Sequence, residues 1–375
     1  MFNTIFSYAF RPFYLAASLY VTTIILLWYP FGYEGNQNYP SLFWHGHEMI
    51  YGFAGAVIVG FLLTAVSNWT NTKPTSGYPL LLLLILWGLA RISVYLPLNN
   101  MVLTSTIFDT LFYTLSAFFI IKALLHAKNR ANILVPIALL LFAGSNILFA
   151  MALLGKGTLS LLSIMQIGIL GVVAFIGLIG SRVIPFFTSI TLQGQNQFSK
   201  RYTMIAFITP LVMMLLMSLK LTPLLVFGLG TVLFLNNLWQ LYRWFNLKVL
   251  QHPLLWVLHV SFFFMAMGVL IMSYAYAFNL RYLALGTHII AIASIALIIQ
   301  GMMSRKALGH TGRAMILPKQ MRVAFLLIIV SALIRAVGSF YPDNYWLFTT
   351  SAISFALAFI IFIYYYFPIL LGPSR

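Results

Sequence analysis

Twelve apolar runs, each near the length that crosses a bilayer, follow one another along this chain with short connections, and that pattern leaves few folds open. They lie near residues 12–31, 43–67, 78–97, 101–121, 133–154, 158–188, 203–219, 222–242, 253–278, 282–303, 323–341 and 345–371. At about 1.5 Å rise per residue, roughly 20 residues of helix span a hydrocarbon core of about 30 Å. In lipid every backbone N–H and C=O must be satisfied inside the segment, so runs of this kind are expected to be helices. The expected fold is an all-α polytopic membrane protein of about twelve transmembrane helices, forming a single membrane domain over residues 1–375. With 62% hydrophobic residues, 7% charged residues and a mean hydropathy of +0.98, no stretch is left over for a soluble module. The first run lacks an A-x-A-like cleavage site and is expected to be retained as a span.

A formal net charge of +17 would point to nucleic acid in a soluble protein. Here the positions of the basic residues supply a different reason. When the loops are assigned to alternate sides, fifteen of the 21 Lys and Arg fall on the side that holds both ends of the chain. Only Lys156, Lys220 and Arg281 fall on the other side, and Arg91, Arg182 and Arg335 lie within runs. By the positive-inside rule both termini are expected in the cytoplasm, together with the basic connections near 188–202 and 304–322. Lipid, rather than nucleic acid, is then the partner that the charge implies, with the 304–322 loop facing anionic headgroups.

Ionisable groups inside spans are costly and need a compensating partner or a function. Sorted by depth, one set falls in the outer half: His45, His47 and Glu48 at the start of the second run, Arg91, Asp109, His288 and Arg335. Two acids, two arginines and three histidines at one level can neutralise one another only if their helices share an interior. A second, cytoplasmic-half set holds Arg182, His259 and His310, read either as a second metal position centred on His259 or as a loop-anchoring group. The chain has no cysteine, which removes thiolate ligands and disulfides and leaves histidine, methionine and carboxylate for any metal. Neutral imidazole binds iron, copper or zinc while its other nitrogen is fixed by a carboxylate or carbonyl. On a helix His45 and His47 stand about 200° apart, so one mononuclear site cannot take both. Glu48 and Met49 share the face of His45, and Tyr51 shares that of His47. A histidine that simply bridges helices is the competing account of each.

The stretches WHGHEM (44–49), GFLLTAVSNWT (60–70), SRVIPFFT (181–188), GTHIIAIA (286–293) and GMMSRKALGHTGR (301–313), with FRPFYL at 10–15, resemble the NnrS family. The resemblance implies a haem- and copper-containing protein of the bacterial inner membrane that acts in the response to nitric oxide and in denitrification. On that reading haem is expected in the outer half, ligated by His288 and by His45 or His47. Arg91 and Arg335 would receive its propionates, with Glu48 and Asp109 offsetting charge or orienting an imidazole. His259 is the expected second metal ligand, with Arg182 and His310 in support. A fainter similarity is to the catalytic subunit of haem-copper oxidases, whose second helix opens on a haem-ligating histidine; His45, Met49, Ile50, Gly60, Asn68 and Trp69 follow that order, but the adjacent His-His pair is missing. A haem-dependent redox activity and a twelve-span secondary transporter, for which buried charges are equally expected, both stay open.

Overall fold

The structure is a computed structural model that describes residues 2–36, 39–96 and 100–374. Its helices, in chain order, are α1 (Phe10–Trp28), α2 (Ser41–Thr70), α3 (Tyr78–Ser93), α4 (Met101–His126), α5 (Leu134–Leu153) and α6 (Leu161–Leu192). They continue as α7 (Lys200–Ser218), α8 (Pro223–Trp244), α9 (Pro253–Ala277), α10 (Leu280–Gly309), α11 (Lys319–Gly338) and α12 (Tyr345–Leu371). Between α1 and α2 lies a two-stranded antiparallel ribbon pairing Gly35 with Pro40 and Asn36 with Tyr39. The expected all-α membrane architecture is therefore present. Among the described residues eleven helices are long and apolar enough to cross a membrane. The exception is the third expected span, 78–97, whose helix α3 ends at Ser93 and has 16 residues, about 24 Å of rise.

The reason these helices pack as they do is visible on α4. Its buried side carries Ser105, Asp109, Phe112, Tyr113, Ser116, Ala117, Ile120 and Leu124 at three- and four-residue spacing, whereas Leu103, Ile107, Leu111 and Phe118 are exposed. In water the apolar stripe would turn inward. With hydrocarbon outside, apolar side chains gain nothing by leaving the surface, so small and polar residues fill the interior and make the specific contacts.

The chain forms two compact units. The first comprises residues 1–168, 306–315 and 362–375, and the second residues 169–305 and 316–361. In the first, α3, α4 and α5 pack in sequence order, and α2 lies against α1 and α4. Helix α2 has the most enclosed window of the described spans, 83% buried, and His47 and Glu48 lie in its buried part. Here too the buried Arg11 of α1 donates Nη1 to the carbonyl oxygens of Leu370 (2.8 Å) and Gly372 (2.6 Å), neutralising the free carbonyls at the end of α12. In the second unit α7, α8, α9, α10 and α11 each pack on the next.

Candidate functional site

Two helices of this chain are not α-helical throughout, and each departs from the α form beside a histidine. Helix α2 is α-helical over Ser41–His47, winds as a π-helix over Glu48–Ala54 and resumes the α form at Gly55. Helix α10 passes from an α segment ending at His288 into a π-helix over Ile289–Ala296. A π-turn adds a residue to the ring closed by each hydrogen bond, re-aims the side chains beyond it and is found mostly at functional positions.

In α2 the wide turns are held by neighbouring side chains. Trp87 of α3 donates Nε1–H to Gly52 O (2.9 Å), and Tyr113 of α4 donates its hydroxyl to Tyr51 O (2.5 Å). Two glycines of this stretch leave room for neighbouring side chains. A Cβ added at Gly52 would stand 2.6 Å from Arg91 Nη1 and 2.9 Å from Glu48 Oε2, and one added at Gly55 would strike the Tyr113 hydroxyl.

Glu48, at the junction of the α and π segments, stands at the centre of a buried polar cluster. His47 donates Nδ1–H to Glu48 Oε1 (2.8 Å), and Arg91 donates Nη1 to Glu48 Oε2 (2.6 Å), which also accepts the Tyr20 hydroxyl. The second terminal nitrogen of Arg91 is donated to Asp109 Oδ2. Asn146 closes the ring, giving Nδ2 to Asp109 Oδ2 (3.4 Å) and receiving His47 Nε2–H on Oδ1 (2.8 Å). The direction of that last bond is fixed by the carboxylate, which can only accept, so the amide oxygen of Asn146 must face the histidine. Both nitrogens of His47 thus have a hydrogen-bond partner within the cluster. The Arg91 guanidinium and the His47 ring face two carboxyl groups in a space where Glu48 and Asp109 are 0% exposed. Charges removed from water are tolerated only when paired and hydrogen-bonded in this way, and the planar fork of arginine joins two carboxylates where lysine could offer only a point charge.

His45 stands apart from the cluster, its ring stacked on Trp28 at 3.6 Å between centroids. The sequence expectation that His45 and His47 face different ways is met. His45, His47, Glu48, Arg91 and Asp109 all belong to the first unit, whereas His288 and Arg335 belong to the second.

In the second unit His288 donates Nδ1–H to Ala284 O (2.7 Å), the carbonyl one turn back, and so carries its lone pair on Nε2. Helix α11 packs beside it and brings the guanidinium of Arg335 near enough to act on the ring electrostatically. That guanidinium lies over the Phe348 ring at 4.4 Å. His259 on α9 shows the same arrangement, with Nδ1 to Leu255 O at 3.0 Å. Its Nε2, buried beside the Trp244 backbone, has no well-formed hydrogen bond. Arg182, half-buried on α6, is in this unit as well, but His310 is not.

His310 sits in the first unit, between the rings of Tyr8 (5.8 Å) and Phe10 (5.6 Å), and accepts a hydrogen bond from Lys306 Nζ on its Nε2 at 3.2 Å. Burial first, and the Lys306 charge second, push its pKa down from 6.5 to about 4. Between those values the unfolded chain binds a proton that the folded chain refuses, so stability should fall as pH is lowered from about 6.5 to about 4. Thermal unfolding of the detergent-solubilised chain across that window should show the loss, and His310→Gln should flatten it. Equal slopes in the two proteins would remove His310 as the cause.

The sequence reading identified the four charged members of the cluster but not Tyr20, Trp87, Tyr113 or Asn146. Asn146 was detectable, being an amide within an otherwise apolar run, but sorting by ionisable type passes over it. Among the described residues no three His, Asp or Glu side chains are grouped as a metal ligand set.

A nearly all-helical membrane fold, a histidine at each π-helical break and a buried cluster of charged and polar side chains inside one unit define a polytopic membrane protein whose polar chemistry lies within its spans. The chain matches the family described as NnrS protein over residues 4–374, nearly its whole length, and belongs to that family. Membership makes it a membrane protein of the nitric-oxide response in general, within a family generally associated with haem and metal binding. No curated protein matches the chain.

Proposed function

We propose that this protein binds haem, and copper at a separate position, in the bacterial cytoplasmic membrane, and that it serves the nitric-oxide response by binding nitric oxide or metal or by passing electrons. The observation that carries the haem reading is the state of His288. Its Nδ1–H is given to a backbone carbonyl, which fixes the tautomer and leaves Nε2 as the ligating nitrogen. Haem brings four nitrogens of its own, so it needs only one or two imidazoles and no grouped set of three protein ligands. Arg335 supplies a charged planar fork suited to a propionate. When bound, the iron would offer a coordination position to nitric oxide. His259, held by Leu255 O in the same tautomer, is the proposed copper ligand.

His47 and Arg91 have other work in this reading. Both nitrogens of the imidazole and both terminal nitrogens of the guanidinium are committed to the cluster, which makes them framework for α2. His45 is then the candidate imidazole of that helix.

Protein purified from cells supplied with haem and copper should show a Soret band that His288→Ala abolishes. Arg335→Leu should weaken haem retention with the ligation spectrum intact, and His259→Ala should lower copper content while the Soret band stays. A native Soret band in His288→Ala overturns the haem position, and unchanged copper in His259→Ala overturns the second. The basic loops support a cytoplasmic position for both termini and residue 313, and a reporter fused at 313 that is active only outside the membrane would overturn that orientation.

A further inference from the structure

Outside the groups discussed so far, the second unit buries three neighbouring amides on one helix. Asn236, Asn237 and Gln240 of α8 are 8%, 0% and 1% exposed. Asn236 Nδ2 donates to Tyr202 O of α7 (3.2 Å) and to Asn237 Oδ1 (3.1 Å), and Gln240 Nε2 donates to the same Asn237 Oδ1 (3.3 Å). The orientation of all three amides follows from one fixed point. A backbone carbonyl can only accept, so Asn236 must turn its nitrogen to Tyr202, Asn237 must answer with its oxygen, and Gln240 must meet that oxygen with its nitrogen.

That assignment leaves three polar atoms without a partner: Asn236 Oδ1, Asn237 Nδ2 and Gln240 Oε1. Each orphaned group costs about 1–3 kcal/mol in a protein interior, and lipid around the unit offers no relief. Two acceptors and one donor make a specific pattern. The amide N–H₂ of Asn237 repels a cation, the two carbonyl oxygens repel an anion, and nitric oxide has no hydrogen to give either of them. A neutral molecule that donates twice and accepts once satisfies all three, and buried waters typically make about three hydrogen bonds.

We propose that the Asn236–Asn237–Gln240 cluster is a binding site for a resident water molecule, which donates to Asn236 Oδ1 and Gln240 Oε1 and accepts from Asn237 Nδ2. Arg243 stands one turn beyond Gln240 on the same helix. The Arg243 guanidinium donates Nη2 to Gln197 Oε1 (3.0 Å) and lies over the Tyr202 ring at 5.7 Å. The site is independent of the haem reading, since none of its atoms belongs to a proposed metal ligand.

An experimental structure of the full chain at a resolution that shows ordered water tests this directly. The expected result is a density peak within hydrogen-bond reach of all three orphaned atoms, absent in Gln240→Leu. An empty pocket in the unsubstituted protein overturns the proposal. Data collected in thallium(I) separate the other occupant: an anomalous peak at the same place means a monovalent cation and overturns it as well. Melting of the variants is a second readout. With a resident water, Gln240→Leu should lower Tm; a dry pocket would instead gain from losing its orphaned amide, so a higher Tm counts against the water.

Discussion

Arg91→Leu is expected to destabilise the protein by about 3–5 kcal/mol, the size of effect seen when one partner of a buried charge pair is removed. The substitution leaves Glu48 and Asp109, both wholly enclosed, without the guanidinium that bonds both of them. Protein in detergent should lose its monodisperse peak or melt well below the unsubstituted chain. Arg91→Lys keeps the charge but cannot reach both carboxylates with a planar fork, so an intermediate loss is expected. The decisive comparison is the variant that also carries Glu48→Gln and Asp109→Asn. If charge imbalance is the cause, removing the anions should restore much of what Arg91→Leu lost. If the combined variant is no better than Arg91→Leu, the side chain of Arg91 matters for its packing and the electrostatic account fails.

The depth argument that grouped these residues shows how much a sequence of this class can disclose. Lipid makes each span announce itself by composition, and the expected boundaries of α5, 133–154, differ by one residue at each end from the observed Leu134–Leu153. Where the boundary slipped, the cause is local. Helix α4 runs to His126 rather than stopping near 121, because Lys122 and His126 can extend a helix into the interfacial region without entering hydrocarbon. Helix α3 ends at Ser93, short of the expected 97, which lies outside the described residues.

The candidate site was legible in kind and only partly in arrangement. Glu48, Arg91, Asp109 and His47 could be placed in one layer because in-span charges must find each other. What depth cannot give is rotation about each helix axis, and that decides which groups meet. Helix periodicity sets Glu48 on the face of His45, yet its side chain bonds the ring of the neighbouring His47 while His45 lies on Trp28. A π-helix has no strong sequence signature. Its cause here is tertiary, namely two side-chain donors from α3 and α4 that take up the carbonyls of Tyr51 and Gly52. Both terminal nitrogens of Arg91 meet Glu48 and Asp109, the two acids expected to offset its charge.

That tertiary cause can be tested through the glycine that permits it. Gly55→Ala is expected to cost about 2–4 kcal/mol, since its new Cβ occupies the place of the Tyr113 hydroxyl and stands 2.9 Å from Tyr113 Cζ and 3.2 Å from Cε1. The ring must withdraw, which also breaks its bond to Tyr51 O and releases one of the two clamps on the π-turn. Tyr113→Phe alone removes only that bond, worth about 1 kcal/mol. In the double variant the worst-placed atom is gone, leaving the milder crowding at Cζ and Cε1, and the bond was already lost, so the two costs cannot both be charged in full. The combined loss should fall short of the sum of the single losses by about 1 kcal/mol or more, read from denaturation of the solubilised protein. Residues that do not touch add within about 0.3–0.5 kcal/mol. Additivity within that margin would mean that Gly55 is required for some reason other than the approach of Tyr113, and the account of how α2 holds its wide turn would have to be abandoned.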